Sequence, residues 1–144
     1  MLKEIATFIL GRVSPHPYWE RDINFFVGHI PLYNRDSSNV QKIKRMTAII
    51  DGTSSLVGQL PDRADKTIQI LNRNDNYFEA YTDAMEFFNR LHGLSGCDLP
   101  VISSGESYTA MIIDAIAQPY AIENPDEKGR FVFSTNYLFR IRAD

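Results

Sequence analysis

The last third of this chain constrains its fold most. Residues 108–117 form an apolar run of strand formers, the connection QPYAIENPDEKGR follows, and residues 130–142 alternate. Successive strand side chains point to opposite faces, so Phe131, Phe133, Tyr137, Phe139 and Ile141 share one face. Val132, Ser134, Asn136, Leu138, Arg140 and Arg142 share the other. A chain that ends in two long strands is built to form a sheet, and exposed edge groups on the last strand would let it pair with a neighbour.

The upstream residues predict what packs on that sheet. Leu2, Ile5, Ala6, Ile9, Leu10 and Val13 recur at helical spacing, which predicts an amphipathic helix over 1–13. Phe8 lies off that stripe, either flanking the core or contacting another chain. Ser14-Pro15-His16-Pro17 ends the helix, because proline cannot donate within it and disfavours helical geometry before it. Residues 23–33 are rich in strand formers, with Pro31 confining a strand there to an edge or to its end. Residues 34–39 are turn chemistry. A second strand centres on 46–50 within 40–51. Residues 51–66, with Gly52, Gly58 and Pro61, read as a long hairpin connection with room for a short strand. Residues 67–72 give the next strand.

Residues 76–92 form the clearest helix, with Tyr77, Tyr81, Ala84, Met85, Phe88 and Leu91 as its apolar stripe. Asn76, with Glu79 three residues later, resembles a capping box, and Gly93 and Gly96 supply the stop. Residues 93–107 read as a loop of small residues. The order predicts an α+β fold in one domain: a mainly antiparallel sheet with two helices packed on a face.

Several kinds of chemistry find little support. His16, His29 and His92 lie far apart and lack metal-ligand spacing. Ser103, Ser104 and Ser107 flank Gly105 without a G-x-S-x-G elbow, and neither GTSSLVG nor GLSG carries the lysine of a phosphate loop. Cys97 is the only cysteine, so no intrachain disulfide forms, and it reads as an inert thiol. Asp62, Asp65, Asp126 and Glu127 fall in predicted loops, where acids are usually solvated. We therefore expect no enzyme, cofactor or metal. A net charge of −3 argues against global attraction to nucleic acid. Lys42, Lys44 and Arg45 form a local basic cluster, which reads as a solvated strand or loop. The N-terminus alternates charge with apolar residues, unlike a signal peptide, and no apolar run reaches membrane-spanning length. A soluble chain made in a reducing compartment is expected.

The stretch GQLPDRADKTIQILNRND resembles a segment of the phage minor capsid and tail-terminator families, where a Leu-Pro-Asp turn leads into a short apolar strand. The helix over 77–92, with Ala80, Ala84 and Leu91, is similar to the family helix. Gln118, Asp126, Gly129-Arg130 and Asn136-Tyr137 follow the order of the family's last two strands and their connection. The resemblance spans about 56–142. Ala64 stands where the family turn has a second proline, Gln118-Pro119 lacks an intervening residue, and 14–50 is longer and less familiar.

That resemblance implies a structural virion protein, assembled in the host cytoplasm. It implies a ring, usually hexameric, at the head-proximal end of the tail. The ring would cap the tail tube, stop its polymerisation and join it to a head connector or stopper protein. DNA would pass through the lumen without specific binding, and no membrane is involved. Alternatives are another neck, stopper or tail-completion subunit, a small ligand-binding or hydrolytic domain, and a nucleic-acid-binding module. A closing ring needs a heterologous interface with aromatic and aliphatic anchors. The candidates are Phe8, Trp19, Phe25, Phe26 and Tyr33, which otherwise fill the core. Thr53, Ser54, Ser55 and Leu56 could reach a partner ring or the lumen from a hairpin that is otherwise a mobile surface loop. Arg130, Arg140 and Arg142 complete the set.

Overall fold

The computed structural model describes residues 2–13, 19–29, 45–56, 63–102, 105–122 and 129–144, with side chains excepted at 53–56. Its elements run α1 (Leu2–Val13), β1 (Phe25–Val27), β2 (Met46–Leu56), β3 (Arg63–Asn74), α2 (Tyr77–Leu91), β4 (Leu94–Asp98), β5 (Tyr108–Ala115), β6 (Tyr120–Ala121) and β7 (Phe131–Ala143). This is the expected α+β arrangement. The strands form one sheet in the order β1-β2-β3-β7-β5-β4, with β6 also on β7. Every pairing is antiparallel except β1 with β2.

The alternation of β7 has the predicted consequence. Phe133, Tyr137, Phe139 and Ile141 are buried on the face that carries both helices. Tyr137, Phe139 and Ile141 share a cluster with Ile68 and Ile70 of β3, Ile49 of β2, and Ala110 and Ile113 of β5. Ile5, Ile9 and Val13 of α1, and Phe87 and Leu91 of α2, close this core from above. A smaller cluster, Phe26, Met46 and Ala48 with Ile50 and Leu71 against it, lies on the opposite face.

Four local readings differ from the expectation. First, β7 has no free edge. It pairs with β3 from Phe131 to Ala143's neighbour Arg142, with β5 along one half and with β6 along the other. The terminal strand is therefore the middle of the sheet, and its backbone is unavailable to a neighbouring chain. Second, β2 and β3 extend into the stretch read as a hairpin connection. Gly52 sits where the β2–β3 register shifts, between Asp51 and Ser54, and a Cβ there would stand 2.5 Å from the Thr67 carbonyl oxygen. That glycine serves a bulge inside a long strand rather than a turn.

Third, 94–98 form β4, although glycine and serine argue for a loop. Gly96 takes a left-handed φ of 64° within it, and pairing with β5 holds the strand. Fourth, the buried line of α2 is Ala80, Asp83, Ala84, Phe87 and Leu91, so Tyr77 and Tyr81 are exposed. Ala80 and Ala84 pack with Phe133, and two methyl groups let the helix sit close to the sheet. The Asn76 cap forms as expected, its side-chain oxygen accepting from the Phe78 and Glu79 amides. Glu79 does not return the bond; its carboxylate accepts from the Asn74 side chain instead.

Candidate assembly surface

The side of the sheet opposite α1 and α2 combines ion pairs with exposed apolar side chains over β5, β6 and the neighbouring part of β7. Register places Ile112, Arg140 and Asp65 in one row across β5, β7 and β3. The next row is Asp114, Leu138 and Thr67, followed by Asn136 with Gln69. Tyr120 then lies beside Ser134 and Leu71. Ile116 donates its amide to the Asn136 carbonyl and Ile122 to that of Val132, so both extend this surface past the strand ends. Ile112, Ile116, Tyr120 and Ile122 are all exposed, Ile116 to 65%. A second apolar group lies at the amino end of α2, where Phe78 is 75% exposed. Tyr77 and Tyr81 stand edge-on to Phe133 beside it, and Tyr77 also to Phe131.

Fixed charge surrounds the first group. Arg140 forks onto Asp65 across the strands, with Nε–Oδ1 at 2.9 Å and Nη2–Oδ2 at 3.3 Å. Hydrogen bonding to Arg140 and its charge hold the Asp65 carboxyl below the ordinary aspartate value. Arg142 pairs with Asp144, whose carboxylate also accepts from Thr109 and Ser107. The Thr109 hydroxyl does most to lower the Asp144 pKa, and Arg142 adds to it. These partners keep both arginines on the side opposite α1 and α2.

The candidate contact residues separate by burial. Trp19, Phe25 and Phe26 are buried within the chain, as is Arg130. Their surroundings explain it: Trp19 stands edge-on to Phe87, and Phe25 lies in the main cluster. Phe8 is half-buried and packs against that same cluster. Arg140 is exposed and Arg142 half-buried. Thr53, Ser54, Ser55 and Leu56 have their backbone in β2, and their side chains lie outside the described set, as does the whole of Tyr33. The isoleucines at 112, 116 and 122 and Tyr120 were not singled out by the sequence. The available signal was excess: 108–122 holds more apolar residues than one buried strand face can use.

The sheet edges are less inviting. At β1 the Phe25 carbonyl already accepts from Asp22, and its amide donates to the Glu20 carbonyl. β4 is five residues long and interrupted by Gly96. Short, irregular edges of this kind resist strand addition. His92 takes the Ala115 amide on Nδ1 and stacks on Phe88, which is a structural role. Cys97 packs on the core. Among the described residues no group of three or more His, Cys, Asp and Glu side chains could hold a metal ion, and no helix is long and apolar enough to cross a membrane.

This is a small α+β fold with α1 and α2 on one sheet face and, on the other, a buried cluster at β1 and β2 beside exposed apolar side chains at β5 and β6. Residues 27–142 match a family described as bacteriophage tail terminator protein, and the chain belongs to that family. No curated protein sequence matches it. Membership makes the protein a structural component of the virion, associated with the tail.

Proposed function

We propose that the chain acts as one α+β domain that closes into a ring, a hexamer by family expectation, at the head-proximal end of the tail. The ring caps the tail tube, stops its growth and presents its other face to a head connector or stopper protein. DNA passes its lumen without specific binding, and the role involves no turnover. Family membership supports the tail assignment. The observation that carries assembly is the exposure of Ile112, Ile116, Tyr120 and Ile122 on the face opposite α1 and α2. Exposed apolar side chains grouped on one face are candidates for an interaction site, and aliphatic and aromatic side chains are the usual anchors.

Contact between copies then runs through side chains of that face rather than through an extended sheet, because β7 is central and the β1 edge is occupied. Light scattering on the purified protein, followed by class-averaged imaging, tests the ring. A closed species near hexamer mass supports it. A monomer that stays monomeric when mixed with tail tube ends counts against it.

A further inference from the structure

A buried ion pair joins three distant stretches of the chain. Asp83 of α2 is 4% exposed, on the helix face turned to the sheet. Arg45, immediately before β2, forks onto it: Nε donates to Oδ2 at 2.8 Å and Nη2 to Oδ1 at 2.6 Å. The same guanidinium lies over the Trp19 ring, its Cζ 5.3 Å from the centroid. Trp19 meets Phe87, one turn along α2 from Asp83, edge-on at 5.5 Å. One cation therefore binds a carboxylate through its edge and an indole through its face.

The two partners differ in their access to water. The Arg45 side chain is about a third exposed, at 35%, whereas that of Asp83 is at 5%. If the pair breaks, the arginine can turn to solvent and the aspartate cannot. The charged groups acting on Asp83 are Arg45, which favours its ionised form, and Glu86 and Glu79 on the same helix, which oppose it. Arg90 pairs with Glu86 a turn further on. Of the buried polar side chains that β3 and β7 place on the face carrying α2, Asn72, Asn74 and Thr135 are neutral, and Lys66 is charged and paired with Asp51.

We propose that the Arg45–Asp83 fork is an acid-released clasp. Protonation of Asp83 removes the carboxylate charge from the fork and weakens its hold on Arg45 over the Trp19 ring, while α2 stays packed on the sheet. Release moves the Trp19 stretch and the entry to β2 without unfolding the domain. Burial raises the Asp83 pKa above the ordinary aspartate value, and the Arg45 bonds only partly offset this. The sign follows: the folded state holds this proton more tightly than the unfolded chain does. The stabilisation linked to it is complete below the unfolded value and is lost as pH rises through the folded one. Acid thus opens the clasp while favouring the fold at this site.

Trp19 is the only tryptophan, so its emission reports the clasp directly. The intact protein should show a reversible change in Trp19 emission on acidification, with a midpoint above that of an exposed aspartate and unchanged helical circular dichroism. That midpoint should coincide with the Asp83 carboxyl carbon titration followed by NMR. Asp83→Asn should abolish the transition and show, at neutral pH, the emission of the acid form. Arg45→Met leaves a buried carboxylate without its counter-charge, so its melting temperature should rise relative to the parent as pH falls. The proposal is overturned if the parent shows no change before unfolding, if the emission and carboxyl midpoints differ, or if Asp83→Asn keeps the transition. It is equally overturned if Arg45→Met gains nothing in acid. Because the carboxyl titration and Arg45→Met need no Asp83 variant, a misfolded Asp83→Asn leaves the test intact.

Discussion

The two faces of β7 carry the same backbone and opposite fates. On one face Phe133, Tyr137, Phe139 and Ile141 are buried beneath helices of the same chain. On the other, two residues along from Leu138, Arg140 is tied to Asp65, and Ile112 beside it is left exposed. Twist and pairing are common to both faces, so only the covering differs. The first face achieves folding, because its apolar area finds a partner within the chain. The second sets fixed charge beside exposed apolar side chains, which are the anchors of the proposed assembly.

Breaking the covered face should have the largest effect on stability. Phe139 is fully buried, and Phe139→Ala should cost about 3–5 kcal/mol, read by chemical denaturation. Next comes the bulge that lets β2 run so far along β3. Gly52→Ala puts a methyl against backbone that cannot yield cheaply, and should cost about 1–3 kcal/mol. Asn76→Ala removes the cap of α2 and should cost about 1 kcal/mol.

The open face should respond weakly and in a salt-dependent way. Asp65 has its folded pKa lowered, first by its bond to Arg140, so the pair's contribution is present above the ordinary aspartate value. It fades as pH falls through the lower folded value. Arg140→Gln should flatten that acid limb of the melting-temperature profile, change little at neutral pH, and lose its effect in high salt.

The sheet face that folds the protein was legible because period-two alternation over 130–142 is a long, unambiguous signal. Helix α1 and the Asn76 cap were legible for the same reason: the pattern is local. The orientation of α2 was not. Tyr77 and Tyr81 outrank Ala80 and Ala84 in apolar size, and only the nearness of Phe133 shows why alanines face the sheet. Nor was the place of β7, since alternation does not tell a central strand from an edge, and pairing with β3, β5 and β6 is decided at long range. The aromatic candidates followed the same logic. Trp19, Phe25 and Phe26 lie in irregular sequence, and the neighbours that bury them within the chain come from distant elements. The uncovered isoleucines were hidden in a run that reads as one buried strand.

The most direct test combines stability and association in one variant, Ile116→Ser with Ile122→Ser. Both side chains are exposed in the subunit, so its denaturation midpoint should stay within about 0.5 kcal/mol per site of the parent. Its mass by light scattering should nevertheless fall from that of a closed oligomer to that of the single subunit. A variant that assembles like the parent would contradict the proposed use of the face opposite α1 and α2. One that loses its fold would show that these side chains belong to the core after all.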